Sequence, residues 1–294
     1  MSKAFPALAL LLILALGLFT GILARSELRL REFIEPRPFT SEIPNDATSV
    51  KRGEHIARTR GCFGCHGQHL EGRVFTDEWP WVKRAVAPNL ARYARQQTTS
   101  SLNAAIRHGI GHNGRALWSM PSYNWKHLSD DDFVALISYL RSAVVVQKEL
   151  PKPKLGLRAR WQIGTGKSQH MADWALAVPK LEYQDHPNAA LRNGEYLAMT
   201  MCNECHGLDL RGATNPDGNS PDLAVLVAYS EDDFRELMRT GTAIGNRDDL
   251  FLMSMIARDR FWALTEQELT DLFVYLRTLP DQPVPQDVPW RGNP

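Results

Sequence analysis

All four cysteines of the chain fall in two copies of one five-residue pattern, Cys62-Phe-Gly-Cys65-His66 and Cys202-Asn-Glu-Cys205-His206. The spacing suits one chemistry in particular. Cysteines three apart on a helical turn face one side, where both sulfurs can form thioethers with the two vinyl groups of a haem. The adjacent histidine can then swing its imidazole under the iron. With 9 histidines in 294 residues, a histidine follows both second cysteines by chance roughly once in a thousand sequences. Three other chemistries compete. Two C-x-x-C pairs can build one zinc site, but that leaves both histidines unexplained and closes a ribbon over about 140 residues. A thioredoxin-like redox pair needs a βαβ context, which is missing. Disulfides between cysteines so close together rarely staple a fold. The pattern therefore predicts two covalently bound haem c groups, one per motif.

The segments that must position these motifs are written twice. Gly-Glu-His-Ile-Ala at 53–57 matches Gly-Glu-Tyr-Leu-Ala at 194–198, ahead of the two cysteine motifs. After them, Leu70-Glu-Gly72 matches Leu210-Arg-Gly212, Ala-Pro88-Asn-Leu90 matches Ser-Pro221-Asp-Leu223, and Ile-Arg-His-Gly109 matches Met-Arg-Thr-Gly241. The stretch from Leu128 to Arg141 matches that from Leu264 to Arg277. Six blocks in the same order make a tandem repeat. Each copy reads as helical. Ser129 and Thr265 are N-cap candidates with Asp132 and Glu268 three residues on. Phe133, Leu136, Ile137 and Leu140 follow helical spacing, as do Leu269, Leu272, Phe273 and Leu276, and Pro280 stops the second helix. Convincing β-hairpin signals are absent, so the fold expected is all-α.

Ahead of the repeat, Lys3 is followed by an uncharged run of 21 residues, Ala4 to Ala24, ending at Arg25. As a helix it reaches roughly 31 Å, the thickness of a hydrocarbon core. A cleaved signal has a shorter apolar region and an A-x-A-like site, whereas a cut after Ala24 would put Ile22 at the −3 position. The run therefore predicts an uncleaved signal-anchor. Charge leaves its orientation open, with Lys3 on one flank and Arg25, Arg29 and Arg31 on the other. Pro36, Pro38 and Pro44 break any long helix in the next segment, which reads as a tether lifting the body off the membrane. The organisation expected is a transmembrane anchor at 1–25, tether 26–47, first domain 48–147, linker 148–190, second domain 191–282 and tail 283–294. The linker carries Pro151, Pro153, Gly156, Gly164, Gly166, Pro179 and Pro187, and is expected to pack through Leu155, Trp161 and Trp174. Its Gly164-Thr-Gly-Lys-Ser168 is no phosphate loop, because the first glycine of that pattern would fall at Trp161. Lys plus Arg number 34 and Asp plus Glu 33, a net charge of +1 that gives no support for nucleic-acid binding.

Each copy resembles a class I cytochrome c domain: a glycine and an aromatic or aliphatic residue in the first helix, CxxCH, a Pro-x-Leu loop, a methionine loop, and a helix ending Tyr-Leu-Arg. The resemblance covers about 48–145 and 190–280, and the whole chain is similar to a membrane-anchored dihaem cytochrome c of bacteria. The resemblance implies that Cys62, Cys65, Cys202 and Cys205 hold the haems and that His66 and His206 are the proximal iron ligands. It implies too that the carbonyls of Pro88 and Pro221 accept the histidine Nδ1–H, and that Gly53 meets Tyr139 and Gly194 meets Tyr275. For the sixth ligand, residues 67–150 hold a single methionine, Met120 in Ser-Met-Pro, with His69, His108, His112 and His127 as competitors. After His206 there is no His, Lys or Cys, which leaves Met238, Met253 and Met255. Met238 matches Ile106 and reads as core. The repeat spacing favours Met255, nine residues before Leu264 as Met120 is eight before Leu128. The resemblance favours Met253, through Met-Ser-x-Ile-Ala-Arg-x-x-Phe, and Met253 is the ligand expected.

A six-coordinate His/Met haem exchanges electrons without binding substrate. The function this implies is electron transfer, with no catalytic residue set: a single-pass protein of a bacterial inner membrane, its body in the periplasm, where such haems are attached. The donors implied are a quinol-oxidising complex or a dehydrogenase, and the acceptors a soluble cytochrome or a terminal oxidase. Two alternatives are a dihaem cytochrome c peroxidase, which needs one open haem site, and the cytochrome subunit of a larger dehydrogenase complex.

Overall fold

The computed structural model describes residues 4–78, 81–215, 218–284 and 288. Lys3, on which part of the charge argument rests, and most of the expected tail 283–294 lie outside the described residues. The first helix, α1, spans Ala4–Arg31. It runs past the charge boundary at Arg25, because Glu27 and Arg31 pair one turn apart at 2.9 Å and Ser26–Arg31 contains no helix breaker. Its stretch Ala7–Arg31 is long and apolar enough to cross a bilayer, with none of the most apolar window buried against the rest of the chain.

The segment expected as a tether does not stand off from the body. Ile34 N–H donates to Gly114 O at 2.7 Å, and both the N–H and the C=O of Phe39 are held by Ser100 Oγ. The Phe39 ring meets Phe133 edge to face at 4.8 Å, and Ser138 Oγ donates to Pro44 O at 2.8 Å. Prolines stop a helix here, as the sequence says. An extended chain, however, leaves its backbone groups to be satisfied by neighbours, and the apolar Phe39 and Ile43 between the prolines are drawn onto the first core.

Each domain closes on a crossing of its first and last helices. In the first, α2 (Ala47–Thr59), α3 (Cys62–His66), α4 (Leu90–Gln96), α5 (Thr99–His108) and α6 (Asp130–Ser142) surround Phe133, Ile137 and Leu140, all fully buried. The linker is more ordered than expected. It forms α7 (Gly156–Thr165) and α8 (Met171–Ala177), and its Trp174 packs on the second core. The second domain follows with α9 (Ala189–Met201), α10 (Asn203–His206), α11 (Glu231–Thr240), α12 (Leu252–Asp259) and α13 (Glu266–Leu276), around Phe234, Leu269 and Leu272. Gly53 is the contact that lets α2 cross α6: a Cβ there would lie 2.0 Å from Ala135 O and 2.7 Å from Tyr139 Cβ. Gly194 does the same for α9 and α13, 2.0 Å from Asp271 O and 2.5 Å from Tyr275 Cβ.

The fold is mostly helical, as expected, with two small β-ribbons beside the helices. β1 (Arg73–Val74) pairs antiparallel with β2 (Val86–Ala87), and β3 (Ala213–Asn215) with β4 (Gly218–Ser220). Runs of two or three residues show no alternation for a pattern search to find. The turn chemistry of Asn215-Pro-Asp-Gly218 was the available signal for the second ribbon. The caps also differ between the copies. Thr265 and Glu268 form a reciprocal capping box. Ser129 accepts from Asp132 N, but the Asp132 carboxylate turns away to Arg52 at 2.6 Å and to the Tyr196 hydroxyl.

Candidate functional site

The two motifs fold alike. Cys62 and Cys65 lie one turn apart on α3, and Cys202 caps α10 in helical conformation, with Cys205 one turn on. None of the four cysteines is in a disulfide. Burial pushes the Cys62 and Cys202 thiols up to about 12, away from the low-pKa thiolate of a redox nucleophile. Among the described residues no three His, Cys, Asp or Glu side chains gather as a metal cage would require.

After each motif the chain turns back through left-handed backbone. Gly67 and Gly207 have φ of 84° and 85°, and Leu70 and Leu210 hold 57° and 63°, unusual values for leucine. Two bonds fix each turn. Gly72 N–H reaches His66 O at 2.7 Å and Leu90 N–H reaches Leu70 O at 2.8 Å; their counterparts are Gly212 to His206 O at 2.8 Å and Leu223 to Leu210 O at 2.9 Å. These turns deliver the proline loops to the histidines. His66 Nδ1 lies 2.9 Å from Pro88 O and His206 Nδ1 lies 2.8 Å from Pro221 O. A carbonyl oxygen can only accept, so the proton is on Nδ1 and the lone pair of the neutral ring is on Nε2. Burial lowers the pKa of both histidines, against a smaller opposing effect of the proline carbonyls, and keeps the rings neutral. A neutral imidazole with fixed tautomer and orientation is what an iron ligand requires.

Met120 is half-buried against the first core and Met253 against the second, while Met255 is 55% exposed and Met238 is fully in the core. Met253 sits in the first turn of α12, not in a loop, after Phe251 at φ 49°. The competing histidines have other partners or positions. His127 Nε2 donates to Pro179 O at 2.6 Å, His112 Nδ1 lies 3.1 Å from the Tyr93 hydroxyl, and His69 is exposed. His108 is held at about 4 by burial and by the Lys126 and Arg107 charges. Near Met120, Trp118 Nε1 and both amide atoms of Asn124 are buried without a partner, and in the second motif so is the Asn203 amide. Unpaired buried groups at these positions fit a large apolar group carrying polar side arms, as haem does.

Nothing in the residue pattern signals what joins the two sites. Tyr196 packs on both cores, and its hydroxyl bonds Asp132 across the boundary. His55 Nε2 donates to Glu268 Oε1 at 2.9 Å. Arg260, between α12 and α13, is buried against the first motif: a Cβ on Gly61 would lie 2.3 Å from its Cζ, and one on Gly64 3.1 Å from its Nη2. Its Nη1 also reaches Glu204 Oε2 inside the second motif at 3.4 Å.

A family model for cytochrome c matches residues 50–143 and again 191–280. The chain belongs to the cytochrome c family, with two such domains, and is an electron-transfer protein of the kind that carries covalently bound haem c. It is 26% identical over 281 residues to the gluconate 2-dehydrogenase cytochrome c subunit of Pantoea cypripedii, covering 80% of this chain and 60% of that one. It is 23% identical over 278 residues to the cytochrome c subunit of the quinone-type alcohol dehydrogenase of Gluconobacter oxydans, covering 81% of this chain and 56% of that one. Over 173 residues it is 26% identical to a nicotinate dehydrogenase subunit of Pseudomonas putida, a match that covers 54% of this chain and 14% of that one. The chain thus spans less than two thirds of the length of these relatives.

Proposed function

We propose that the chain is the membrane-tethered, dihaem cytochrome subunit of a dehydrogenase, taking electrons from its catalytic partner and passing them to a cytochrome or terminal oxidase. The observation that carries this reading is the duplicated bond from a CxxCH histidine to a proline carbonyl, which prepares two imidazoles for iron. In this reading Cys62 and Cys65 hold one haem and Cys202 and Cys205 the other. His66 and His206 are the proximal ligands, and Met120 and Met253 the distal ones. When bound, each haem supplies a one-electron iron couple. The protein's part is to keep the imidazoles neutral, to exclude water with the two cores, and to hold both sites in one rigid frame through Arg260, Tyr196 and Glu268. The dehydrogenase partner is supported by the relatives, two of which are cytochrome c subunits of dehydrogenases. The periplasmic side is supported by the extracytoplasmic attachment of such haems, and the single-pass inner-membrane anchor by α1.

The test is purification of the full chain from native membranes in detergent, with a C-terminal affinity tag. The result expected is a second, larger chain with dehydrogenase activity, and a pyridine haemochrome value of two haems per copy of this chain. Cys205→Ala should lower that value toward one. A protein that purifies alone, shows a high-spin ferric haem and turns over peroxide would overturn the proposal in favour of a peroxidase.

A further inference from the structure

The linker between the two domains packs along the uncharged part of the proposed membrane helix. The uncharged part of α1 ends at Ala24, yet α7 packs on residues well inside that limit. The Trp161 ring stacks on Phe19 with centroids 6.1 Å apart and planes at 27°. Gly164 lies against the α1 backbone, where a Cβ would come 2.2 Å from Ile22 O. Ile22 is three residues and Phe19 six residues inward of Arg25, so these contacts lie about 5 and about 9 Å below the first charge.

Lengths decide what surrounds them. If α7 were to stay in water, the bilayer would have to end before Phe19. That leaves the 15 uncharged residues 4–18 to span it. They reach about 22 Å, against a hydrocarbon core of about 30 Å. The whole 21-residue run does reach, but it then carries the last turns of α7 below the charge boundary.

The residues sort by depth accordingly. Arg160 pairs with Glu27, and Arg29 Nη2 lies 3.3 Å from Asp173 Oδ2 on α8, both on the outer side of Arg25. From Trp161 to Gly166 the chain carries no charge, and Lys167 follows at the exposed turn. Trp161 is 39% exposed, and Leu157, one turn earlier on the same face, is 67% exposed. Tryptophan at the lipid–water boundary, with a lysine able to reach the headgroups, is the composition expected of a segment seated about 5–10 Å into the interface.

We infer that the C-terminal half of α7 is a lipid-seated wedge, with Trp161 in the headgroup–acyl boundary beside α1, so that the linker fixes the height and tilt of both haem domains on the bilayer. The inference rests on the reading of α1 as a membrane span. Its test uses the haem-loaded full chain in phosphatidylcholine vesicles containing a phospholipid with a diazirine near the glycerol end of its acyl chain. After irradiation and trypsin, the peptides 4–25, 161–167 and 168–180 are examined by mass spectrometry for lipid adducts. Adducts on 4–25 and 161–167, with none on 168–180 and its exposed Leu176, are expected. Trp161→Glu should lose the 161–167 adduct and keep that on 4–25. Adducts on 4–25 alone would overturn the inference while leaving the span intact, and would assign the α7 face to water or to a protein partner. Release of the chain by alkaline carbonate, with no adduct on either peptide, would overturn the span and the wedge together.

Discussion

The guanidinium of Arg260 bridges the two cysteine motifs: its Nη1 is 3.4 Å from Glu204 Oε2, which lies between the second pair of cysteines, and its plane covers Gly61 and Gly64 around the first. The side chain is largely buried and its Nε has no partner. Taking such a pair out of water costs several kcal/mol per ion before attraction repays it, so stability is a poor reason for its presence. A fixed positive charge between two redox sites has a different effect: it favours the reduced, less positive state of both.

Replacing Arg260 by Gln should therefore lower both haem midpoint potentials, by tens of millivolts, the scale of one charge acting over about 10 Å at an effective dielectric of about 20. Arg260→Lys should recover part of the shift. Spectroelectrochemical titration of the holoprotein reads this directly. A loss of thermal stability with unchanged potentials would show that Arg260 only packs the interface.

The helix crossings give a prediction about stability. Gly53→Ala would set a methyl group 2.0 Å from Ala135 O, and Gly194→Ala one 2.0 Å from Asp271 O, both against backbone that cannot yield cheaply. Each change should cost about 3 kcal/mol or more, measured by denaturant unfolding of the holoprotein. A cost under about 1 kcal/mol at either site would mean that the helices separate more readily than this packing allows.

What can be read from sequence follows the range of the physics. The cysteine motifs, the caps and the apolar faces of α6 and α13 are local, and their spacing alone places them. The His66–Pro88 and His206–Pro221 bonds are legible only through resemblance, since nothing within 22 or 15 residues of spacing foretells a turn built on Leu70 and Leu210 at positive φ. The inter-domain contacts are not legible at all. Tyr196 and Glu268 lie on α9 and α13, and Arg60 and Arg260 at the ends of α2 and α12; their partners Asp132, His55, the Tyr196 ring and the first motif lie in the other domain, beyond the reach of any local period. The tether misleads for a related reason: proline excludes helix but does not say whether an extended chain stands free or lies on a neighbour.

The domain boundary should show in acid. Burial alone would raise the Glu268 pKa, but the hydrogen bond from His55 and the Thr265 N–H outweigh it and hold the carboxyl at about 2, against an ordinary 4.5. A depressed folded-state pKa stabilises the protein above the unfolded value, and that contribution is lost as pH falls from about 4.5 through about 2. The full shift sets an upper bound of ~3 kcal/mol. Glu268→Gln should thus be less stable by ~1–2 kcal/mol at neutral pH and lose less stability between pH 4.5 and 2. Unfolding free energies of both proteins across that range test it; parallel acid limbs would show that Glu268 is not a source of the pH dependence.

The proposed sixth ligand of the second haem separates two methionines two residues apart. Spacing against the first copy points to Met255, the family motif to Met253. In the structure α12 turns Met253 toward the second core and leaves Met255 55% exposed, as expected of positions two apart, which fall on opposite sides of a helix. Met253→Ala should accordingly remove about half of the iron–sulfur charge-transfer band of the oxidised protein and lower one of the two potentials, since a thioether ligand raises it. Met255→Ala should change neither, and Met120→Ala should remove the other half of the band. The absorbance difference between each variant and the parent, at equal haem content, is the measurement. If Met255→Ala alone halves the band, α12 must unwind when haem is attached and Met253 is a packing residue. If neither change affects it, the second haem has no methionine ligand, and an openable, peroxidase-like site becomes the better account of that domain.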